Sequence, residues 1–197
     1  MELERRPFWI FDMDGTLTVA VHDFDALRAE LGLRPKEPIL EQIAEAPEDR
    51  ARQLLAQLDE LELGLARRAR AADGAHALLE RLCARGARLG IVTRNSFANA
   101  VETLRACELE RFFAPECVLG REAAAPKPDP EGIRQLLAHW GAEPHQAVMV
   151  GDYRYDLLAG RAAGTATVYV DIRGGFEFAE HADVAVDSLE ALAALLR

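Results

Sequence analysis

The sequence has few cysteines and no long apolar segment, and these absences exclude several classes of protein. Its 197 residues include three cysteines, Cys83, Cys107 and Cys117, which are odd in number and widely spaced. That spacing suits reduced thiols better than a disulfide framework or a zinc site. No apolar run approaches membrane-spanning length, and the first residues lack the apolar core of a signal peptide. We therefore expect a cytoplasmic protein with no membrane partner.

Positive charge is also scarce, because acidic residues outnumber basic ones and the formal net charge is −10. Nucleic acid is therefore not an expected partner, since its phosphate backbone requires a basic face. The charge still permits a phosphorylated small molecule, because one local lysine and a metal ion can invert the field within a pocket. Half of the residues are hydrophobic, which is enough for a sizeable core.

Two patterns divide the chain into a predicted α/β core and a helical insert. Residues 8–11 are bulky and apolar, which is typical of a strand buried on both faces. Residues 73–197 alternate between helical and strand patterns, which predicts a doubly wound parallel sheet with a Rossmann-like core. Residues 19–72 show only helical patterns. We therefore expect residues 1–18 and 73–197 to form the core and residues 19–72 to form a small all-α cap.

The predicted cap contains three helices and two possible hinges. Asp23 is a candidate cap for the first helix, residues 38–46 predict the second, and the third begins near Pro47. The hinges, at residues 17–22 and 71–74, would let the cap swing over the sheet. The third helix carries leucines at helical spacing, with acidic residues elsewhere on the wheel. The leucines are Leu54, Leu58, Leu61 and Leu65, and the acidic residues are Asp59, Glu60 and Glu62.

Acidic and hydroxyl side chains follow the predicted central strands, at the edge where doubly wound sheets bind ligands. The first strand is followed by Asp12 and Asp14, the second by Thr93, and the fourth by Asp152 and Asp156. A carboxylate directly after a buried strand is costly to desolvate, and a hard divalent cation is a common compensation. Asp152 and Asp156 would share one face of a helix if the helix began there.

One lysine lies in a stiff segment that leads to the same edge. Pro126, Pro128 and Pro130 surround Lys127, and each proline restricts its own φ angle. A stiff segment can hold an ammonium group inward, where it would neutralise carboxylates and an incoming phosphate. Each feature alone is also typical of an ordinary turn, strand end or surface loop. Their joint occurrence favours a single site.

In this order and spacing, the motifs resemble the haloacid dehalogenase-like hydrolase superfamily. The likeness is strongest to its phosphoglycolate phosphatase-like members, which carry a helical cap after the first strand. The motifs are Asp-Met-Asp-Gly-Thr-Leu at 12–17, Ile-Val-Thr-Arg-Asn at 91–95, Lys-Pro-Asp-Pro at 127–130, and Val-Gly-Asp at 150–152 with Asp156. Together they extend over nearly the whole chain.

The resemblance implies a role for each residue of these motifs. Asp12 would be the nucleophile that forms an aspartyl-phosphate, and Asp14 would be the general acid and base. Magnesium would be held by Asp12, Asp152 and the backbone carbonyl of Asp14. Asp156 would support this acidic group through water or by orienting Lys127. The groups that would bind phosphate are Thr93, Arg94, Asn95 and Lys127.

The expected function is magnesium-dependent hydrolysis of a small phosphorylated metabolite by a monomer or homodimer. A sugar phosphomutase or phosphotransferase that uses the same intermediate would also fit these motifs. Two non-enzymatic functions stay open as well, a signalling receiver domain and a non-catalytic phosphate-binding module. The resemblance implies that Asp14 argues against a dehalogenase, which lacks the second acid, and that Thr16 favours hydrolysis over the mutase reaction.

Substrate specificity is expected to depend on the cap and on residues 94–97. Cap cations that could meet a substrate carboxylate are Arg28, Arg34, Lys36, Arg50 and Arg52. Each of these cations is also typical of an ordinary solvated helix face. The chain departs from the family pattern in its short cap and in Tyr153 and Tyr155, which occupy places often taken by smaller or polar residues.

Overall fold

The computed structural model describes residues 2–19 and 24–196, and these ranges contain six strands and eight α-helices. The strands are β1 (Phe8–Phe11), β2 (Arg88–Val92), β3 (Val118–Leu119), β4 (Ala147–Gly151), β5 (Ala166–Val170) and β6 (Val184–Val186). The helices are α1 (Phe24–Leu31), α2 (Ile39–Ala44), α3 (Glu48–Ala66), α4 (Ala75–Ala84), α5 (Phe97–Ala106), α6 (Glu131–Trp140), α7 (Arg154–Ala163) and α8 (Leu189–Leu195). Asp23, the candidate cap of α1, lies outside the described residues. Within them, no helix is both long and apolar enough to cross a membrane.

The six strands form one parallel sheet in the order β3-β2-β1-β4-β5-β6, which confirms the predicted doubly wound fold. The chain builds outward from β1 through β2 to β3 and then returns to the other side of β1 at β4. The strand order therefore reverses between β1 and β4, where Phe11 lies opposite Val150. Such a reversal opens a crevice beyond the carboxyl ends of the two strands.

Helices cover both faces of the sheet because successive side chains of a strand point to opposite sides. On β1, Trp9 and Phe11 belong to one hydrophobic cluster, which includes residues of α4, α5 and α8. Ile10 belongs to a second cluster with residues of α6 and α7. All three side chains are fully buried or nearly so, which explains the uninterrupted apolar sequence of this strand.

The three helices between β1 and α4 have a small hydrophobic cluster of their own, centred on Leu31, Ile43, Leu54 and Leu58. The buried row of α3 continues from Leu58 to Glu62, not to Leu61. Leu61 is only partly buried, whereas Glu62 is buried and forms an ion pair with Arg121. The division of the chain at residues 18/19 and 72/73 stays a prediction.

The segments that enter and leave the helical insert run side by side. Thr18 and Ala71 form an isolated antiparallel bridge. The N–H of Val19 donates to the carbonyl of Arg70 at 2.9 Å, and the N–H of Ala72 donates to that of Leu17 at the same distance. The described parts of the two predicted hinges are therefore hydrogen-bonded to each other. Residues 20–22 of the first hinge lie outside the described residues.

Candidate active site

Asp12 is positioned by the central strand of the sheet. Its backbone N–H donates to the carbonyl of Val150 at 2.9 Å, so the ladder between β1 and β4 extends to this residue. The turn that follows contains Gly15, whose φ of 86° lies in the left-handed region. A β-carbon at Gly15 would lie 2.3 Å from Oδ2 of Asp152. Only glycine therefore lets the turn after β1 pass this close to the carboxylate that follows β4.

Lys127 reaches into the middle of the acidic groups. Its side chain is 2% exposed, and Nζ lies 2.5 Å from Oδ1 of Asp12 and 2.7 Å from Oδ1 of Asp156. Burial by itself lowers the pKa of Lys127, but the charges of Asp12 and Asp156 outweigh it and raise the pKa. The ammonium group is therefore held in its charged form between two carboxylates.

Asp12, Asp152 and Asp156 each offer an oxygen within 4.8 Å of the other two. Burial, followed by the charges of Asp12 and Asp156, raises the pKa of Asp152 to about 8. Burial also raises the pKa of Asp156 to about 6, against the opposing charge of Lys127. One ammonium group thus leaves the cluster short of positive charge. A set of hard carboxylate oxygens with unbalanced negative charge fits a divalent cation such as Mg²⁺.

Asp152 and Asp156 meet by a different route from the one that helical spacing predicted. Helix α7 begins at Arg154, so Asp152 precedes it and the two residues do not share a helical face. Asp156 instead turns back at the start of the helix, and its Oδ2 accepts from the N–H of Tyr153 at 3.1 Å. A β-carbon at Gly151 would lie 2.2 Å from that of Asp156, so glycine is needed for this approach.

The segment after β2 contributes a hydroxyl and an amide. Thr93 is buried, and its Oγ1 accepts from the N–H of Asn95 at 3.2 Å. The side chain of Asn95 donates to Oδ2 of Asp14 at 2.7 Å. Asn95, a predicted phosphate ligand, thus holds the predicted general acid in place.

These residues line one cavity of about 430 Å³ between the sheet edge and the helical insert. The predicted site residues in its wall are Asp12, Asp14, Thr93, Arg94, Asn95, Lys127, Asp152 and Asp156. Tyr153, Arg154 and Tyr155 form part of its rim, and the two tyrosine rings pack edge to face at 5.1 Å. All eight predicted side chains therefore face a common space.

Of the five cap cations considered as specificity residues, Arg28 and Lys36 line the cavity. Arg34 pairs with Glu37 and Glu45, and exposed Arg52 pairs with acidic neighbours on its own helix. Arg50 is exposed and is not part of the cavity wall. Helical periodicity could not separate these cases, because all five residues fit a solvated face.

The structure also contains ion pairs between insert and core that the sequence pattern did not predict. Nη2 of Arg94 lies 2.7 Å from Oε2 of Glu41 on α2. Nη1 of Arg121, after β3, lies 2.9 Å from Oε2 of Glu62 on α3, and both side chains are less than 10% exposed. The one sequence signal for the second pair was a glutamate one turn from Leu58 on an otherwise apolar row.

The amino-acid sequence is similar to those of several hydrolases. It is 42% identical over 86 residues to the pyrophosphatase PpaX of Bacillus pumilus, a match covering 44% of this chain and 39% of that protein. The chain therefore spans well under half the length of that relative. It is 30% identical to a haloacid dehalogenase-like hydrolase domain-containing protein of Arabidopsis thaliana, with coverage of 95% of this chain and 82% of the other.

Solved structures share the fold over almost the whole chain. CbbY from Rhodobacter sphaeroides in complex with phosphate has a TM-score of 0.80 at 24% identity, covering 97% of this chain and 99% of that one. A hydrolase from Pseudomonas syringae has a TM-score of 0.79 at 25% identity, covering 96% and 97%. The sequence model described as haloacid dehalogenase-like hydrolase matches residues 9–170. The chain therefore belongs to the haloacid dehalogenase-like hydrolase family.

Proposed function

We propose that this protein is a magnesium-dependent phosphomonoester hydrolase that acts on a small phosphorylated metabolite. The observation that carries the proposal is the buried contact of Lys127 with Asp12 and Asp156, at the end of the central strand. A buried ammonium group beside a nucleophilic carboxylate can neutralise an incoming phosphate, whose charge would otherwise repel Asp12. The PpaX relative is named as a pyrophosphatase, which also supports chemistry at phosphorus.

In the proposed reaction, a carboxylate oxygen of Asp12 attacks phosphorus and the bond to the leaving oxygen breaks. Asp14 gives its proton to that oxygen, so the product leaves as an alcohol and Asp12 becomes an aspartyl-phosphate. Asp14, now ionised, then takes a proton from a water molecule that attacks the same phosphorus. Inorganic phosphate leaves, and Asp12 returns as a carboxylate with Asp14 protonated.

The surrounding residues hold these groups in place. Asn95 donates to Asp14, which keeps that carboxyl group over the cavity. Lys127 and the Thr93 hydroxyl would bind the phosphoryl oxygens, and Asp156 orients Lys127 through its 2.7 Å contact. Mg²⁺ would be held by Asp12, Asp152 and the carbonyl of Asp14, and when bound it supplies positive charge to the phosphoryl oxygens.

A panel of phosphorylated metabolites, assayed with and without Mg²⁺, tests the proposal through released inorganic phosphate. We expect at least one small phosphomonoester to be hydrolysed with Mg²⁺ and to be stable when EDTA replaces it. Product analysis separates hydrolysis from the mutase reaction, because a mutase would return an isomerised sugar phosphate. Hydrolysis that continues unchanged in EDTA would contradict the role proposed for the metal.

A further inference from the structure

Arg94 holds its guanidinium group in the wall of the cavity by three contacts. Nη1 donates to the backbone carbonyl of Lys127 at 3.0 Å, which ties Arg94 to the segment that supplies the phosphate-facing ammonium group. The guanidinium carbon lies 5.4 Å from the centre of the Tyr155 ring. Nη2 donates to both carboxylate oxygens of Glu41, at 2.8 and 2.7 Å. The core therefore fixes one end of the guanidinium, and the insert supplies a carboxylate to the other.

Glu41 is the exchangeable member of this group. Its side chain is 43% exposed, whereas that of Arg94 is 25% exposed. It belongs to the six-residue helix α2 of the insert, and the other two contacts of Arg94 are made by the core. An ion pair with this much solvent contact contributes little to stability, so another anion can replace Glu41 without breaking the fold.

We infer that Arg94 binds a second anionic group of the substrate, a carboxylate or a second phosphate, and that Glu41 occupies this place until the substrate displaces it. The inference rests on the proposed function, because it takes the transferred phosphate to lie beside the paired side chains of Asp12 and Lys127. Arg94 follows Thr93 directly and lines the same cavity as Asp12. One small molecule could therefore place its phosphate at Asp12 and its second anionic group at Arg94. Guanidinium groups suit this role because their planar fork matches carboxylate and phosphate oxygens.

The other arginines near the cavity are less suited to the role. Arg28 donates to Asp25 at 2.7 Å and to the carbonyl of Glu37 at 2.8 Å, so residues of its own segment already hold it. Arg121 is 7% exposed and pairs with two carboxylates of α3. Arg154 lies over the rings of Tyr153 and Tyr155 at the rim. Arg94 differs from Arg28 because it is bonded to the core at the carbonyl of Lys127, beside the proposed phosphate site, while solvent reaches its carboxylate partner.

Displacement of Glu41 would also connect substrate binding to the insert. The Arg94–Glu41 pair joins α2 to the segment after β2, and a bound anion would release α2 from that contact. A substrate without the second anion would have to bind beside an intact ion pair. The preference for doubly anionic substrates should therefore depend on both residues, but in opposite directions.

Three matched three-carbon phosphomonoesters test whether Arg94 binds a carboxylate, a second phosphate or neither. One ends in a carboxylate, one in a second phosphate and one in a neutral hydroxyl. The variants are Arg94→Gln, Arg94→Lys and Glu41→Gln, with Arg52→Gln as a control for the loss of one exposed cap charge. Phosphate release gives kcat and KM for each pair, and thermal melting checks that each variant is folded.

We expect the wild type to favour a charged ester over the neutral one, and the better of the two charged esters identifies the second group. Arg94→Gln should lower kcat/KM for that ester about 10- to 100-fold, and for the neutral ester less than about threefold. Arg94→Lys should recover part of the loss. Glu41→Gln should lower KM for the charged ester severalfold, because the competing carboxylate is gone, and Arg52→Gln should change neither.

Four results would overturn the inference. If Arg94→Gln lowers kcat/KM equally for the charged and neutral esters, Arg94 does not bind a second anionic group of the substrate. If Glu41→Gln raises KM for all three esters, the Arg94–Glu41 pair is a structural contact, and Glu41 does not compete with the substrate for Arg94. This second variant decides the matter even if Arg94→Gln does not fold. Failure of the wild type to hydrolyse these three esters and every member of the metabolite panel overturns the proposed function as well, whereas equal hydrolysis of all three esters overturns only this inference.

Discussion

The chain has two lysines, and they lie in the two regions of the molecule that differ most. Lys127 lies at the sheet edge, is 2% exposed and contacts two buried carboxylates. Lys36 lies in the helical insert, is exposed and faces the same cavity from the other side. A charge of the first kind is fixed by its surroundings, whereas one of the second kind can move toward whatever ligand arrives. A buried, fixed lysine such as Lys127 suits catalysis, and an exposed, mobile one such as Lys36 suits substrate recognition.

The largest expected effect comes from the core carboxylate. Asp12→Asn should reduce phosphate release by at least about 10⁴-fold with every substrate, because a neutral amide cannot form the acyl phosphate. Asp187→Asn, which changes an exposed carboxylate bonded to Ser188, should leave the rate unchanged. Undiminished turnover by the Asp12→Asn protein would refute the covalent mechanism.

The two lysines allow a matched comparison with the same substitution. Lys127→Met should lower kcat about 10³-fold, since the phosphoryl charge loses its buried partner. It should also destabilise the fold by about 3 kcal/mol or more, because Asp12 and Asp156 lose their cation. Lys36→Met should raise KM by less than about fivefold and leave both kcat and melting temperature unchanged. Equal losses of kcat and melting temperature in the two variants would contradict the difference that we propose between core and insert.

The buried carboxylates also predict how metal and pH act together on stability. The pKa values of Asp152 and Asp156, about 8 and 6, are raised above their ordinary 3.8 by burial first and then by neighbouring carboxylates. The folded metal-free protein therefore holds more protons than the unfolded chain between about pH 4 and pH 8. Stability from these two groups is full below pH 4 and is lost as pH rises through 6 and then 8.

Magnesium should offset this loss, because a bound cation favours the ionised carboxylates. Between pH 5.5 and 8.5, we expect the difference in melting temperature between magnesium and EDTA samples to grow by about 5 °C. Scanning calorimetry at several pH values measures it. A difference that stays constant across this range would show that the cluster does not bind the ion through these carboxylates.

Much of the fold was predictable from local patterns. Phe8–Phe11 predicted a strand buried on both faces, and a parallel sheet requires the carboxyl ends of its strands to share one edge. The meeting of Asp12, Thr93 and Asp152 follows from that geometry alone. Their precise approach depends on backbone details, such as the turn at Gly15, that no side-chain pattern reveals.

The contacts between insert and core were not predictable, because they depend on how the helices of the insert dock on the sheet. Glu62 and Arg121 are 59 residues apart in the sequence, and Arg94 and Glu41 are 53 apart. Glu62 stands out only as a glutamate on an apolar row of α3, and nothing in the local sequence identifies the partner of any of these four residues. The helical spacing of Asp152 and Asp156 was misleading for the opposite reason, because a local rule was applied two residues before the helix begins.

The bridge between Thr18 and Ala71 brings the two ends of the helical insert side by side. Because its two ends are hydrogen-bonded to each other, a tight turn joining Val19 to Arg70 would close the core without rethreading any strand. We therefore expect such a deletion to fold with the sheet intact, which circular dichroism would test. The same arrangement would let a different insert replace this one during evolution, while the sheet and its site residues stayed the same.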